Sequence, residues 1–216
     1  MSRETTLRRI LDAGVIAVVR SESGEQLAKV VSALAEGGVT AAEITFTVPD
    51  AVEVIRQVRK EVGDAVVLGA GTVLDPETAR IALLAGAEYL VSPTVNTEVI
   101  RLCRRYDKVV LPGAFTPTEV LTAWEAGADI GRFFPADVGG PAYLKALHGP
   151  LPQVRLMPTG GVDLDTAEAF LKAGACCLGV GSSLVEPKAI AAGDFDRIRE
   201  LATRYTALVR RFRESL

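Results

Sequence analysis

The sequence predicts an α/β protein that folds as a single (β/α)8 barrel. Short apolar, β-branched segments recur eight times, an amphipathic helical pattern follows each of them, and successive segments begin about 23 residues apart. Strict alternation of strand and helix predicts a parallel sheet, and eight such units predict that the sheet closes into a barrel. These units account for nearly all of the 216 residues, so we expect one domain spanning 1–216.

The eight predicted strands follow one another at a regular spacing. They cover residues 15–20, 41–46, 66–73, 89–94, 109–115, 130–136, 155–162 and 177–183. The same units could also build an open, doubly wound sheet. The glycine fingerprint G-x-G-x-x-G that such a sheet carries after its first strand is missing, which favours the barrel.

Capping signals delimit the helices between these strands. Helical patterns include residues 25–36, 76–85, 118–125 and 165–173. Asp75 and Thr116 each precede a proline, which is typical of an N-cap followed by the first helical residue. Gly86 and Gly174 stand where a helix ends in the left-handed conformation. At the two ends of the chain, residues 2–12 and 194–214 predict an N-terminal and a C-terminal extra helix.

The composition excludes several classes of function. Lys and Arg total 24 against 27 Asp and Glu, so the net charge of −3 gives no basic surplus for binding nucleic acid. Three cysteines form neither a disulfide framework nor a metal-binding spacing, and His148, the single histidine, cannot build a histidine metal cluster. No apolar run matches a membrane span or a signal peptide. We expect a cytoplasmic protein with no metal, no other cofactor, and no nucleic-acid or membrane partner.

A carboxylate is predicted inside the barrel. Alternation along the second strand puts Ile44 and Phe46 on one face and Glu43, Thr45 and Thr47 on the other. The apolar pair belongs against the helices, so Glu43 points inward. There it could be the structural partner of an interior cation, or a general acid/base whose pKa is raised by burial.

A phosphate site is predicted at the ends of the last two strands. Thr159-Gly160-Gly161 ends the seventh strand and Gly181-Ser182 ends the eighth. Backbone N–H groups of such loops, with hydroxyl donors beside them, commonly bind phosphate in barrels. Glycines that only make tight turns are the alternative, and their occurrence at both of these strand ends favours phosphate.

Two more strand-end residues are candidate carboxylate ligands. Thr72 closes the segment Gly69-Ala70-Gly71-Thr72, where the glycines leave room for a small ligand. Arg20 ends the first strand and offers a charged fork. Either could equally be an ordinary surface residue.

An ordered set of short motifs runs through the predicted strands from the second to the eighth. The motifs are Glu43-Ile44-Thr45, Gly69-Ala70-Gly71-Thr72-Val73, Val91-Ser92-Pro93, Leu111-Pro112-Gly113, Phe134-Pro135-Ala136, Pro158-Thr159-Gly160-Gly161 and Gly181-Ser182. In this set the chain resembles the 2-keto-3-deoxy-6-phosphogluconate (KDPG) and 4-hydroxy-2-oxoglutarate (KHG) aldolase family. The resemblance implies a homotrimeric barrel and a class I aldolase reaction. Such an enzyme reversibly cleaves KDPG to pyruvate and glyceraldehyde 3-phosphate, or KHG to pyruvate and glyoxylate.

The resemblance also implies residue roles. Glu43 would shuttle protons and Thr72 would contact the pyruvate carboxylate, while Thr47 stands where some members carry a carboxylate-binding arginine. Arg20 could supply that charge instead. The substrate-binding set predicted from strand ends and resemblance together is Arg20, Thr47, Thr72, Pro93, Phe134, Thr159, Gly160, Gly161, Gly181 and Ser182.

The departure from the family pattern is Arg132. The resemblance implies an imine-forming lysine directly before Phe-Phe-Pro-Ala, and this sequence has Arg132 there. A guanidinium retains its proton and cannot attack a carbonyl. The chain's lysines, none of which we place at a strand tip, are Lys29, Lys60, Lys108, Lys145, Lys172 and Lys188. Alternation turns Arg132 inward, where we expect Glu43 to be its ion-pair partner and to be held ionised.

Three functional hypotheses follow. The first is an aldolase-family enzyme whose activity is reduced or lost through Arg132. The second is a catalytically silent trimeric barrel, natural or engineered, that serves as a scaffold or binds a keto-acid phosphate without cleaving it. The third is another phosphate-binding barrel enzyme, such as a sugar-phosphate epimerase or isomerase with Glu43 as base. It ranks last because such enzymes usually bring a second acid/base or a metal.

Overall fold

Nine short strands alternate with helices in residues 1–22 and 24–215, the part of the chain that this computed structural model describes. The strands are β1 (Val15–Val19), β2 (Ala41–Thr45), β3 (Val67–Gly71), β4 (Tyr89–Val91), β5 (Val109–Leu111), β6 (Gly113–Ala114), β7 (Gly131–Phe133), β8 (Leu156–Pro158) and β9 (Leu178–Val180). All eight predicted strand positions are occupied. The predicted fifth strand is divided into β5 and β6 at Pro112, which has no backbone N–H to donate to a neighbouring strand.

The strands form two parallel sheets that meet along two lines. One sheet has the order β5-β4-β3-β2-β1-β9 and the other β6-β7-β8. β5 and β6 are successive parts of one stretch of chain, and a parallel bridge between Thr159 and Gly179 links the end of β8 to β9. Counting β5 and β6 as one strand gives eight strands around a closed barrel, so the predicted fold class is confirmed.

Helices surround the strands, with one extra helix at each end of the described chain. They are α1 (Arg3–Ala13), α2 (Leu27–Glu36), α3 (Ala51–Val62), α4 (Pro76–Ala85), α5 (Thr97–Arg105), α6 (Pro117–Glu125), α7 (Ala136–His148), α8 (Ala167–Lys172), α9 (Pro187–Ala192) and α10 (Phe195–Glu214). The predicted N-terminal and C-terminal extra helices correspond to α1 and α10. No helix in the described residues is both long and apolar enough to span a membrane.

Side-chain caps fix the starts of α4 and α6. The Asp75 carboxylate accepts a hydrogen bond from the backbone N–H of Thr78 at 2.6 Å. The Thr116 hydroxyl accepts one from the Glu119 N–H at 3.3 Å, and the Glu119 carboxylate accepts one from the Thr116 N–H at 2.8 Å. These reciprocal bonds form a capping box, so both helices begin at the predicted prolines.

The barrel interior changes from apolar to polar along the strands. Next to α1 lies an apolar layer that includes Ala41, Ile130 and Met157. Two residues further along the same strands, the buried side chains are Glu43, Arg132 and Thr159. Because alternate residues of a strand share a face, these three polar side chains also point into the barrel, near the carboxyl ends of the strands.

Candidate active site

Glu43 is fully buried inside the barrel, as alternation along β2 predicts, with 0% exposure. A methyl group on Gly71 of β3 would lie only 2.7 Å from Glu43 Oε1, so glycine at that position makes room for the carboxylate. Neither carboxylate oxygen has a hydrogen-bond partner among the described residues. Loss of hydration raises the pKa of Glu43 above its usual value, and the opposing charges of Arg132 and Arg20 do not reverse the shift.

Arg132 extends from β7 into the same interior and is 1% exposed. Its Nη1 donates a long hydrogen bond to the carbonyl oxygen of Ser92 at 3.4 Å, and its guanidinium carbon lies 4.7 Å from the centre of the Phe134 ring. Nε and Nη2 have no partner in the described part of the chain. Burial lowers the pKa of Arg132, the charge of Glu43 opposes this, and Arg20 adds to the lowering. The Ser92 carbonyl oxygen and the Phe134 ring thus hold the guanidinium, while its Nε–H and Nη2–H groups donate to no described residue.

The prediction that Glu43 and Arg132 form an ion pair is wrong. No guanidinium nitrogen of Arg132 lies within the 4.0 Å of a Glu43 oxygen that an ion pair requires, although both side chains are described. The reason is their placement, because β2 and β7 are the second and sixth of eight strands and face each other across the barrel. Arg132 does favour the ionised form of Glu43, as expected, but loss of hydration outweighs this effect and the net pKa of Glu43 is raised.

A cavity of about 490 Å³ opens at the carboxyl ends of the strands. Eight predicted site residues line it, namely Arg20, Arg132, Phe134, Thr159, Gly160, Gly161, Gly181 and Ser182. Gly160 and Gly161 have φ angles of 95° and 68°, and a methyl group on Gly161 would lie 2.5 Å from Asp137 Cβ. Around Gly181, by contrast, such a group would meet nothing within 4 Å. Gly161 therefore permits a close approach to Asp137, whereas the open space at Gly181 leaves the backbone there accessible to a ligand.

A second cavity of about 740 Å³ adjoins the first, and the two share Arg20 and Pro187. Thr47 lines this second cavity, separated from the other predicted ligands. Lys188 lines it too. It is the second residue of α9, and a helix that follows a strand begins at the carboxyl end of the barrel, so the Lys188 side chain lies at the mouth.

The remaining predicted residues, Thr72 and Pro93, follow β3 and β4 and are not among the residues that line these two cavities. Thr72 has a φ angle of 59°, a left-handed conformation that is strained for a β-branched residue. Such strain persists only where the surrounding structure imposes it, which often occurs at functional sites.

Tyr89 of β4 and Ser92, which follows that strand, were not among the predicted site residues. Tyr89 is 0% exposed and its hydroxyl has no partner among the described residues. Burial, then the nearby Glu43 carboxylate, raise the pKa of Tyr89. Alternation from the predicted ligand Pro93 back through Val91 would have placed Tyr89 on the interior face. No side-chain pattern could have indicated Ser92, because it contacts Arg132 through its backbone carbonyl oxygen.

A parallel barrel with a polar interior and glycine loops at its carboxyl end has the architecture of the barrel enzymes, whose active sites lie at that end. Comparison with known proteins makes this specific. The family model "Aldolase: KDPG and KHG aldolase" matches residues 7–201, so the chain belongs to the KDPG and KHG aldolase family. The names of this family and of the relatives below are those of aldolases, which are carbon–carbon lyases.

Two relatives and one solved structure show how close this relationship is. The chain is 38% identical over 196 residues to a 2-dehydro-3-deoxy-phosphogluconate aldolase of Treponema pallidum, covering 90% of this chain and 93% of the relative. It is 36% identical over 202 residues to the KHG/KDPG aldolase of Escherichia coli strain K12, covering 92% and 94%. A KDPG aldolase of Legionella pneumophila, solved with pyruvate captured as a covalent carbinolamine, superposes with a TM-score of 0.86 at 29% identity, covering 92% and 96%.

Proposed function

We propose that this chain binds a 2-keto acid that carries a phosphate group, and that its imine-dependent aldol cleavage is lost or strongly reduced. The observation that carries the proposal is Arg132, which lines the cavity at the position where the family resemblance implies the imine-forming lysine. The related substrates are KDPG, which would yield pyruvate and glyceraldehyde 3-phosphate, and KHG, which would yield pyruvate and glyoxylate.

The chemistry of the side chain supports the loss of cleavage. Imine formation needs a nitrogen that can lose its proton and offer a lone pair to the carbonyl carbon. Burial lowers the pKa of Arg132, but the delocalised guanidinium remains protonated in proteins. Lys188, on the rim of the adjoining cavity, is an exposed helical residue. It lacks the burial that activates a nucleophilic lysine.

The cavity supports binding of the phosphorylated acid. Gly160, Gly161 and Gly181 expose backbone N–H groups, and Ser182 adds a hydroxyl, at the strand ends where barrels commonly bind phosphate. Arg20 and Arg132 add two positive charges to the same cavity. We propose that the two arginines attract the anionic substrate and that Thr72 and Pro93 complete its surroundings.

Borohydride trapping tests this function. The unmodified chain, incubated with pyruvate and borohydride and then weighed by mass spectrometry, should show no pyruvyl adduct. Arg132→Lys should acquire one, and with it KDPG cleavage. Titration of the unmodified chain with inorganic phosphate should show binding that Ser182→Ala weakens. A stable pyruvyl adduct on any lysine of the unmodified chain would contradict the proposed loss of cleavage.

The second candidate is a catalytically silent homotrimer in the cytoplasm, acting as a scaffold or a keto-acid phosphate binder. Ile81 and Leu84, three residues apart on one face of α4, are 47% and 64% exposed, and such apolar faces often mark contacts between subunits. Sedimentation velocity should find trimers that Leu84→Asp dissociates. KDPG cleavage by the unmodified chain, if Glu43→Ala abolishes it, would exclude a silent protein.

A further inference from the structure

We infer that this chain interconverts the keto and enol forms of a bound 2-keto acid without a covalent intermediate, with Arg132 holding the oxygens and Glu43 moving the proton at C3. The inference rests on the proposed function, because it needs a 2-keto acid bound in the cavity lined by Arg132. It adds an activity for which no imine is required.

The two unused donors of Arg132 define where the substrate binds. Nε–H and Nη2–H lie side by side on one edge of the guanidinium plane and point in parallel directions. A planar 2-keto acid offers a carbonyl oxygen and a carboxylate oxygen on one of its own edges, which fits this fork. Ser92 and the Phe134 ring hold the other parts of the guanidinium, so its orientation is set before a ligand arrives.

Glu43 supplies the base on the opposite side of the barrel. Both of its oxygens are buried without a partner, and the side chain faces Arg132 from β2 across a separation that excludes an ion pair. A ligand carbon held by Arg132 therefore has a carboxylate on its far side. Because burial raises the pKa of Glu43, its ionised form is a stronger base than an exposed carboxylate.

The step balances without any further reactant. Ionised Glu43 takes a proton from C3, the electron pair of the broken C–H bond forms the C2=C3 double bond, and the carbonyl π pair moves to O2. The Arg132 N–H group that binds the keto oxygen, together with the guanidinium charge, stabilises the resulting enolate oxygen inside a site of low dielectric. Return of a proton from Glu43 to O2 gives the enol, and return to C3 restores the keto acid.

Hydrogen–deuterium exchange measures this activity directly. The full chain is incubated with pyruvate in D2O, and loss of the methyl proton signal is followed by NMR. We expect exchange above the buffer rate, lowered about a hundredfold or more in Glu43→Gln, since a positioned acid/base contributes at least that factor. Arg132→Met should lose exchange as well.

Glu88→Gln is the matched control. Glu88 is also a buried carboxylate, but it accepts a hydrogen bond from Arg59 of α3 at 2.9 Å on the outside of the barrel. This variant should exchange pyruvate protons at the unmodified rate. Circular dichroism of each variant distinguishes loss of the base from loss of the fold.

The outcomes separate this inference from the proposed function. If pyruvate protons exchange, Glu43→Gln abolishes this exchange and borohydride traps no adduct, the results support both the proposed function and the enolisation. Exchange together with a pyruvyl adduct on a lysine overturns both. Pyruvate that binds, as seen by saturation-transfer NMR, yet exchanges at the buffer rate overturns the enolisation alone. Absence of any pyruvate or phosphate binding overturns the proposed function and this activity with it.

Discussion

Replacing Tyr89 by phenylalanine should stabilise the protein. The Tyr89 side chain is fully buried, and its hydroxyl has no hydrogen-bond partner in the described part of the chain. A buried polar group without a partner costs about 1–3 kcal/mol, and phenylalanine keeps the ring that fills the space. We expect Tyr89→Phe to raise the free energy of unfolding by about 1–2 kcal/mol, and the melting temperature by roughly 2–4 °C for each kcal/mol.

Tyr205→Phe is the matched control, and it should change the free energy of unfolding in the opposite direction. Tyr205 is equally buried, but its hydroxyl donates to Ser183 Oγ at 3.1 Å, and that hydroxyl in turn donates to the Val162 carbonyl oxygen at 2.6 Å. Removing a satisfied hydroxyl should lower the free energy of unfolding by about 1 kcal/mol.

Urea unfolding followed by tryptophan fluorescence compares the two variants, since Trp124 is the single tryptophan. The difference between the two free energies of unfolding is the informative quantity, because both variants remove the same atom. If Tyr89→Phe loses as much stability as Tyr205→Phe, the Tyr89 hydroxyl has a partner in solution and the reasoning is refuted.

Three further predictions concern the candidate site. Arg132→Lys should acquire pyruvate-dependent inactivation by borohydride; if it stays fully resistant, the site has diverged beyond this one position. Glu43→Gln should match the unmodified chain in stability near about pH 4 and exceed it at about pH 8 in urea unfolding. The raised pKa of Glu43 contributes stability that is complete below the usual glutamate pKa and is lost as the pH rises through the raised value. If the stability difference between Glu43→Gln and the unmodified chain shrinks as the pH rises, the pKa of Glu43 is not raised in the folded protein. Gly161→Ala should abolish phosphate binding in calorimetry, because the added methyl group meets Asp137. The control is Gly140→Ala, which has a similar φ of 69° and nothing within 4 Å, and it should bind phosphate normally. Equal binding by both variants would contradict a phosphate site at the Gly161 loop.

Much of the fold and part of the site could be predicted from local patterns. Alternation along single strands placed Glu43 and Arg132 inside the barrel, because the direction of a side chain depends only on its own strand. The capping boundary at Thr116 was also readable, since both partners of the cap lie within one helical turn. The division at Pro112 follows from a missing N–H that the sequence displays.

Relations across the barrel could not be predicted in the same way. Alternation gives the face of a side chain but not its reach, so it did not show that Glu43 and Arg132 stop short of an ion pair. Lys188, which we did not place at a strand tip, lies in the first turn of α9 at the mouth of the barrel. The boundary of α9 was not predicted, so this lysine could not be placed beside a cavity.

The division of the barrel into two sheets has a mechanical consequence. Glu43 belongs to the six-stranded sheet and Arg132 to the three-stranded one, and the sheets meet at Pro112 and at the bridge between Thr159 and Gly179. Backbone hydrogen bonds also cross both lines, from the Asp129 N–H to the Val110 carbonyl oxygen at 3.1 Å and from the Cys176 N–H to the Leu156 carbonyl oxygen at 2.9 Å, so the two sheets are tied together. The carboxylate and the guanidinium are therefore held by a closed ring of strands, and a ligand between them meets a gap whose width is set before it binds.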